Sequence, residues 1–173
     1  MKRAALFAAL YALTAPAYAQ APSETGGPIT SQSDRDALHP RVRDGAACAN
    51  CDLFQIDLSY RDLSGRDFAG SRLRQSELQV VTADRARFHG ANLSLANLFG
   101  GRFSSADFTD ANLSGTNFVG AYLGGARFDG AVLTGANLSG ADLTRASISQ
   151  AQLSSACGDA ATVLPAGMTV GRC

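Results

Sequence analysis

The run Ala131-Val132-Leu133-Thr134-Gly135-Ala136-Asn137-Leu138-Ser139-Gly140-Ala141-Asp142-Leu143-Thr144-Arg145 states one pattern three times: alanine, a variable residue, leucine, a hydroxyl residue and a corner residue. Extended in both directions, the same register places an apolar residue at every fifth position from Leu53 to Leu153, 101 residues without a break. Of these 21 central residues, 20 are Leu, Phe or Ile, and Ala83 is the exception. A period of five matches neither the 3.6-residue helix nor the two-residue strand. The stretch is therefore expected to fold as a repeat array, each unit being one short extended side plus a corner, with four sides closing a square coil.

The chemistry of each position agrees. The first residue is Ala in 12 of the 21 units from Cys51 to Ala151, which suits a second inward position too cramped for a large side chain. The fifth is Gly ten times between Gly65 and Gly140, as a corner of unusual φ favours. Ser or Thr is frequent at the fourth, where a hydroxyl is expected to bond nearby backbone. The units Ala91-Asn92-Leu93-Ser94-Leu95, Ala111-Asn112-Leu113-Ser114-Gly115, Ala136-Asn137-Leu138-Ser139-Gly140 and Ala141-Asp142-Leu143-Thr144-Arg145 resemble the Ala-Asp/Asn-Leu-x-x units of the pentapeptide-repeat family. The resemblance covers residues 51–155 and implies that family's fold, an all-β, right-handed quadrilateral β-helix. At four units per turn this amounts to about five coils, a rod on the order of 25 Å long at the usual strand spacing of ~4.8 Å.

Departures from the pattern carry their own expectations. Ala83 follows the larger Val81, and Gly101 precedes Phe103, so inward volume is conserved in both units. Arg61 and Arg66 stand where a small inward residue belongs and depart from the family's pattern. Unpartnered buried guanidinium groups are prohibitively costly, so the first coil is expected to be distorted, open, or paired with Asp62 and Asp67. The plain reading sends both arginines to solvent or to the lead-in, and the functional reading makes them an anion-binding end.

Residues twenty apart should stack on neighbouring coils. Asp67, Arg87, Asp107 and Arg127 then form a column of alternating charge, and Asn97, Asn117 and Asn137 a column of amides. Tyr60 and Val80 share one corner column and Phe99 and Val119 the adjacent one, with Arg102 and Tyr122 just beyond. Together they make a candidate interaction patch.

Outside the array, residues 1–19 read as a signal peptide: Lys2 and Arg3, an apolar core from Ala4 to Leu13, and Pro16-Ala17-Tyr18-Ala19 before Gln20. The core is too short to span a bilayer comfortably, so export to the periplasm or beyond is expected, with no membrane span after cleavage. Residues 20–50 form a flexible lead-in and N-terminal cap. Within it Ser33 to His39 predicts a short helical turn, with Ser33 as N-cap and Pro40 ending it. Residues 156–173 form a C-terminal cap in which Leu164, Met168 and Val170 cover the last coil.

An oxidising compartment lets cysteines pair. Cys157 and Cys173 are expected to join and pin that lid, for roughly 3 kcal/mol. Cys48 and Cys51 form a C-x-x-C spacing with three readings: a local disulfide, a redox pair, or half of a metal site. Redox function needs a helix start after a strand, and zinc needs two more ligands where only His39 is close along the chain, so the disulfide is favoured.

Without Lys2 and Arg3, 13 cations face 15 acids, a balance that predicts neither a nucleic-acid-binding surface nor a strong acidic field. No nucleophile motif, glycine-rich phosphate loop or metal cluster is present, and no cofactor is implied. His39 and His89 lie far apart in sequence, and His89 holds an outward fourth position. The best-known activity in the family this chain resembles is protection of DNA topoisomerases by acidic rods that mimic DNA. Near-neutral charge and an export signal weigh against that role. The expectation is a non-enzymatic extracytoplasmic structural or protein-interaction module that binds a protein or envelope component. The alternative is a redox or metal-binding accessory protein working through Cys48 and Cys51. The sequence leaves monomer and homodimer open.

Overall fold

A five-residue side is too short to satisfy its own backbone, so its N–H and C=O groups must find partners on neighbouring coils. The computed structural model describes residues 32–173, and there they do; the signal segment and the start of the lead-in lie outside the described residues. Parallel bridges join residues twenty apart in four columns. Face A runs from Asp52 through Arg72, Asn92 and Asn112 to Val132, and face B from Asp57 to Asn137. Face C runs from Asp62 to Asp142 and face D from Asp67 to Ser147. Typical bonds are Arg72 N–H to Cys51 O at 2.8 Å and Leu73 N–H to Asn92 O at 2.7 Å. The chain is a parallel β-helix, as the fivefold period predicts.

All 21 central residues are buried, Ala83 included. On face D the rings of Phe68, Phe88, Phe108 and Phe128 stack with centroids 5.4, 5.1 and 5.3 Å apart and planes within 11°. Phe118 meets this column edge-on, an arrangement that adds to simple area burial. Both predicted volume trades are present: Val81 is buried beside Ala83, and a Cβ on Gly101 would meet the Phe103 ring at 2.6 Å. Buried hydroxyls at the first position are satisfied by backbone, as Ser76 Oγ to Leu73 O at 2.6 Å and Thr116 Oγ1 to Leu93 O at 3.0 Å.

Each corner is a four-residue turn closed by a bond such as Ala91 N–H to Phe88 O at 3.0 Å. Its third residue, the fifth of the unit, has positive φ at every unit from Asn50 to Arg145. The fourth-position hydroxyls do not cap these turns as expected. The second-position side chain does: Asp57 Oδ1 accepts the Ser59 N–H at 2.9 Å, and Asn112 Oδ1 the Ser114 N–H at 3.1 Å. Where a hydroxyl takes part, it donates to that same side chain, as Ser94 Oγ to Asn92 Oδ1 at 2.8 Å. Asp and Asn do this because their short side chains reach the N–H two residues on.

Both ends differ from expectation. Helix α1 spans Gln32–Arg43, with Ser33 inside it and Pro40 in its interior instead of at its end. An interior proline costs about 3 kcal/mol. Leu38 and Val42, four residues apart, are buried against the array and contribute roughly 1.5 to 3 kcal/mol each, which outweighs it. Arg35 also pairs with Asp52 at 2.9 Å. Ladder bonding starts before residue 51, with Cys48 N–H to Asp67 O at 2.8 Å.

At the other end the last unit is not extended. Helix α2, Gln150–Ser155, replaces it, held by a capping box between Ser149 and Gln152. Leu153 nevertheless stays buried, and Gln152 Nε2 donates to Phe128 O at 2.5 Å and Ala131 O at 2.8 Å. Beyond it Cys157 bridges Asn137 and Val163 bridges Asp142, so the path continues past the expected boundary. Strand β1 (Cys157–Gly158) pairs in parallel with β2 (Gly171–Arg172), while Leu164 and Met168 pack on the core.

Two outcomes follow for stability. Phe108→Ala removes the middle of the face D stack and should cost about 3–5 kcal/mol in urea unfolding. The bond from the Ser59 N–H holds Asp57 below the usual carboxylate range. Its contribution is present above the ordinary Asp pKa and is lost as pH falls through the depressed one. Asp57→Asn, which keeps the turn, should flatten the fall in stability measured between roughly pH 5 and pH 2.

Candidate interaction surface

The corner between faces B and C brings together the patch predicted from sequence. Ladder bonds from Val80 N–H to Phe99 O at 2.8 Å and from Gly100 N–H to Val119 O at 2.9 Å set the two columns side by side. Tyr60 is 72% exposed, Val80 and Phe99 47% each, and Tyr122 42%; Val119 is half-buried. Tyr122 and Arg102 are bridged neighbours on face C. A Cβ on Gly124 would meet the Tyr122 ring at 2.9 Å, so this ring lies along the surface. Arg102 is held by Asp84 at 2.5 Å and keeps its guanidinium largely exposed.

Every corner shares a positive φ, and side-chain type sets this one apart. Tyr60 has φ +62° and Val80 φ +53°, while Gly100, Gly120 and Gly140 fill the same column at no steric cost. Positive φ is a genuine outlier for a β-branched residue and costs on the order of 1–2 kcal/mol. Leu95, at φ +60° on the corner between faces A and B, is the other exposed aliphatic held this way.

Arg61 and Arg66 are exposed, yet the first coil beneath them is undistorted: Leu63 N–H bonds Thr82 O, and Phe68 N–H bonds Arg87 O at 2.8 Å. Neither arginine makes an ion pair with Asp62 or Asp67 among the described residues. Asp67 is instead paired with Arg87 at 3.6 Å. Arg66 reaches the lead-in, its Nη2 lying 3.1 Å from where a Cβ on Gly45 would stand. The alternating column holds only in part, since Arg127 turns to Asp129 at 3.7 Å. The amide column forms from Glu77 through Asn97 to Asn117, with bonds of 2.8 and 3.1 Å.

Cys48 pairs with Cys51, and Cys157 with Cys173. The C-x-x-C loop is clamped by Ser71, whose hydroxyl donates to Cys48 O at 2.5 Å and accepts from Cys51 N–H at 3.1 Å. His39 lies on α1, half-buried, its pKa lowered first by burial and then by Arg43. Among the described residues no group of three or more His, Cys, Asp and Glu side chains is placed to hold a metal ion, and no helix is long and apolar enough to cross a membrane.

Two family models, both described as pentapeptide repeats, match residues 62–100 with 121–157 and residues 83–127, together residues 62–157. The chain belongs to the pentapeptide-repeat family. Membership implies the right-handed β-helix, in accord with the parallel twenty-residue ladder. Among solved structures of pentapeptide-repeat proteins, the chain is 30% identical to HetL, involved in heterocyst differentiation regulation in the cyanobacterium Nostoc sp. strain PCC 7120. That match covers 64% of this chain and 48% of HetL, at a TM-score of 0.38, so the chain spans about half of HetL's length. It is 36% identical to a thylakoid-lumen protein of Arabidopsis thaliana, over 55% of this chain and 70% of that one, at a TM-score of 0.35. It is 23% identical to QnrB1, a plasmid-mediated fluoroquinolone resistance protein, over 70% and 82%, at a TM-score of 0.32. No curated protein sequence matches the chain.

The sequence reading found the patch because the twenty-residue period places it. It missed the turn-capping role of the second position, although Asp or Asn stands there in 11 of the 21 units. It also missed the Ser149-x-x-Gln152 signal that makes α2. If apolar character and not backbone geometry is what Val80 supplies, Val80→Gly should leave the urea midpoint unchanged or raise stability by up to about 1 kcal/mol, relief of φ being partly offset by unfolded-state entropy.

Proposed function

We propose that this pentapeptide-repeat protein is an exported, non-catalytic interaction module. Its solenoid of about five coils holds the corner between faces B and C as a rigid docking ridge for a protein of the cell envelope. The observation that carries the reading is Val80, an exposed β-branched side chain kept at φ +53° in a column otherwise able to use glycine. A conformational cost borne at the surface, where burial returns little, fits selection for contact with a partner.

Several features support the rest. The segment from Lys2 to Ala19 has the layout of a signal peptide, and all four cysteines are paired, as suits an oxidising compartment. Pairing of Cys48 with Cys51, both buried and clamped by Ser71, favours a structural staple over a redox or metal-binding role. Topoisomerase protection by DNA mimicry calls for a continuous acidic surface, whereas here Asp and Arg alternate along face D.

Cell fractionation with N-terminal sequencing should place the mature chain outside the cytoplasm, starting at Gln20. Crosslinking in intact cells should capture an envelope protein with the native chain and lose it with Phe99→Ser plus Val119→Ser. Retention of the same crosslinks and the same oligomeric state by the double variant would sink the corner as an interface.

A further inference from the structure

Charge is segregated around the rod. Residues 91–101, 111–121 and 131–141, which build faces A and B over three successive coils, contain no Asp, Glu, Lys, Arg or His. Faces C and D of the same coils carry Arg102, Asp107, Arg127, Asp129 and Asp142. Soluble surfaces normally intersperse about a quarter to a third of charged residues, so an uncharged half-rod needs an explanation.

Its hydrogen-bonding character is as uneven as its charge. The side-chain oxygens of Asn92, Asn112 and Asn137 are occupied by the N–H groups of Ser94, Ser114 and Ser139 at 3.0, 3.1 and 2.9 Å. Their amide N–H groups make no bond among the described residues, so the surface offers two donors on face A and one on face B. Between the two faces Leu95, 52% exposed, lies over Gly115, where a Cβ would meet it at 2.8 Å. Leu95 thus forms an apolar platform between the Asn columns of faces A and B, and Phe99 stands at the far edge of face B.

We infer that faces A and B over these three coils bind an uncharged polysaccharide. Hydroxyl and ring oxygens of sugars accept from the free amide donors, and the C–H faces of pyranose rings suit Leu95 and Phe99. The absence of charge excludes the electrostatic attraction that nucleic acids, acidic glycans and anionic lipids depend on. Three coils at ~4.8 Å by two sides of roughly 10 Å give on the order of 300 Å², well under the ~800 Å² per partner of a stable protein interface. This surface shares Phe99 with the docking corner but does not rest on a protein partner binding there.

Affinity gel electrophoresis and calorimetry against dextran, β-1,3-glucan, β-1,4-glucan oligosaccharides and polygalacturonate test the inference. At least one neutral polymer should retard the native protein equally at 0.05 and 0.5 M salt, roughly as expected for uncharged contacts. Asn92→Arg with Asn112→Arg should weaken that binding about tenfold or more, and Arg72 in the same column shows that the coil accepts the side chain there. Val132→Arg, at an exposed site in that column, should act in the same direction and stands in if the double variant unfolds. Tyr60→Ser, Val80→Gly and Arg127→Asn should bind as native, which separates this surface from the corner. The inference is overturned if no neutral polymer binds, if the charged variants bind as well as native, or if binding is confined to polygalacturonate and lost in salt. It is equally overturned if the same variants abolish a protein crosslink while glycan binding is absent.

Discussion

Every extended side in this protein depends on hydrogen bonds to the neighbouring coil, 19 or 21 positions away, because a side of five residues cannot bond to itself. That single constraint dictates much of the rest. Coils must repeat at constant length, so the fivefold register runs from Leu53 to Leu153 without a slip, and a one-residue slip would turn buried side chains outward. The enclosed space must also hold nearly constant volume. Val81 accordingly compensates Ala83, and Phe103 lies over Gly101.

The same dependence makes the two ends the weak points, since an outermost coil lacks a partner on one side. Each is closed by a helix, a disulfide and side-chain bonds to otherwise free backbone. At the start α1 lays Leu38 and Val42 on the core, and the Cys48–Cys51 loop is bonded through Ser71. At the finish Gln152 satisfies two carbonyls, and Gln150 binds both the N–H and the C=O of Thr169 at 3.1 and 2.9 Å. Cys173 then ties the chain end to Cys157. These closures cover backbone groups that an open end coil would leave exposed.

Those lateral faces are not equivalent. Faces C and D carry mixed charge organised by the bridging register, the corner between B and C carries apolar groups in a costly backbone conformation, and the later parts of faces A and B carry amides, hydroxyls and apolar side chains without charge. A rigid prism keeps these surfaces at fixed relative positions. This is the physical basis for a reading as a presenting scaffold within the pentapeptide-repeat family.

The sequence by itself determined the inside and the columns: period five with a central Leu or Phe specifies inward residues, and four sides per turn specifies that Phe68, Phe88, Phe108 and Phe128 share a stack. Burial is a property of pattern, so pattern reveals it. The corner patch was legible for the same reason, through Tyr60, Val80, Phe99 and Val119. Tertiary structure alone decided how far α1 continues, because the benefit of burying Val42 beyond Pro40 depends on a coil that no local preference encodes. It also decided that Arg66 reaches Gly45 and that Arg127 turns to Asp129 instead of Asp107, choices among several partners at similar range. Long side chains at a surface choose by three-dimensional proximity, and a one-dimensional period fixes only where their Cα atoms stand.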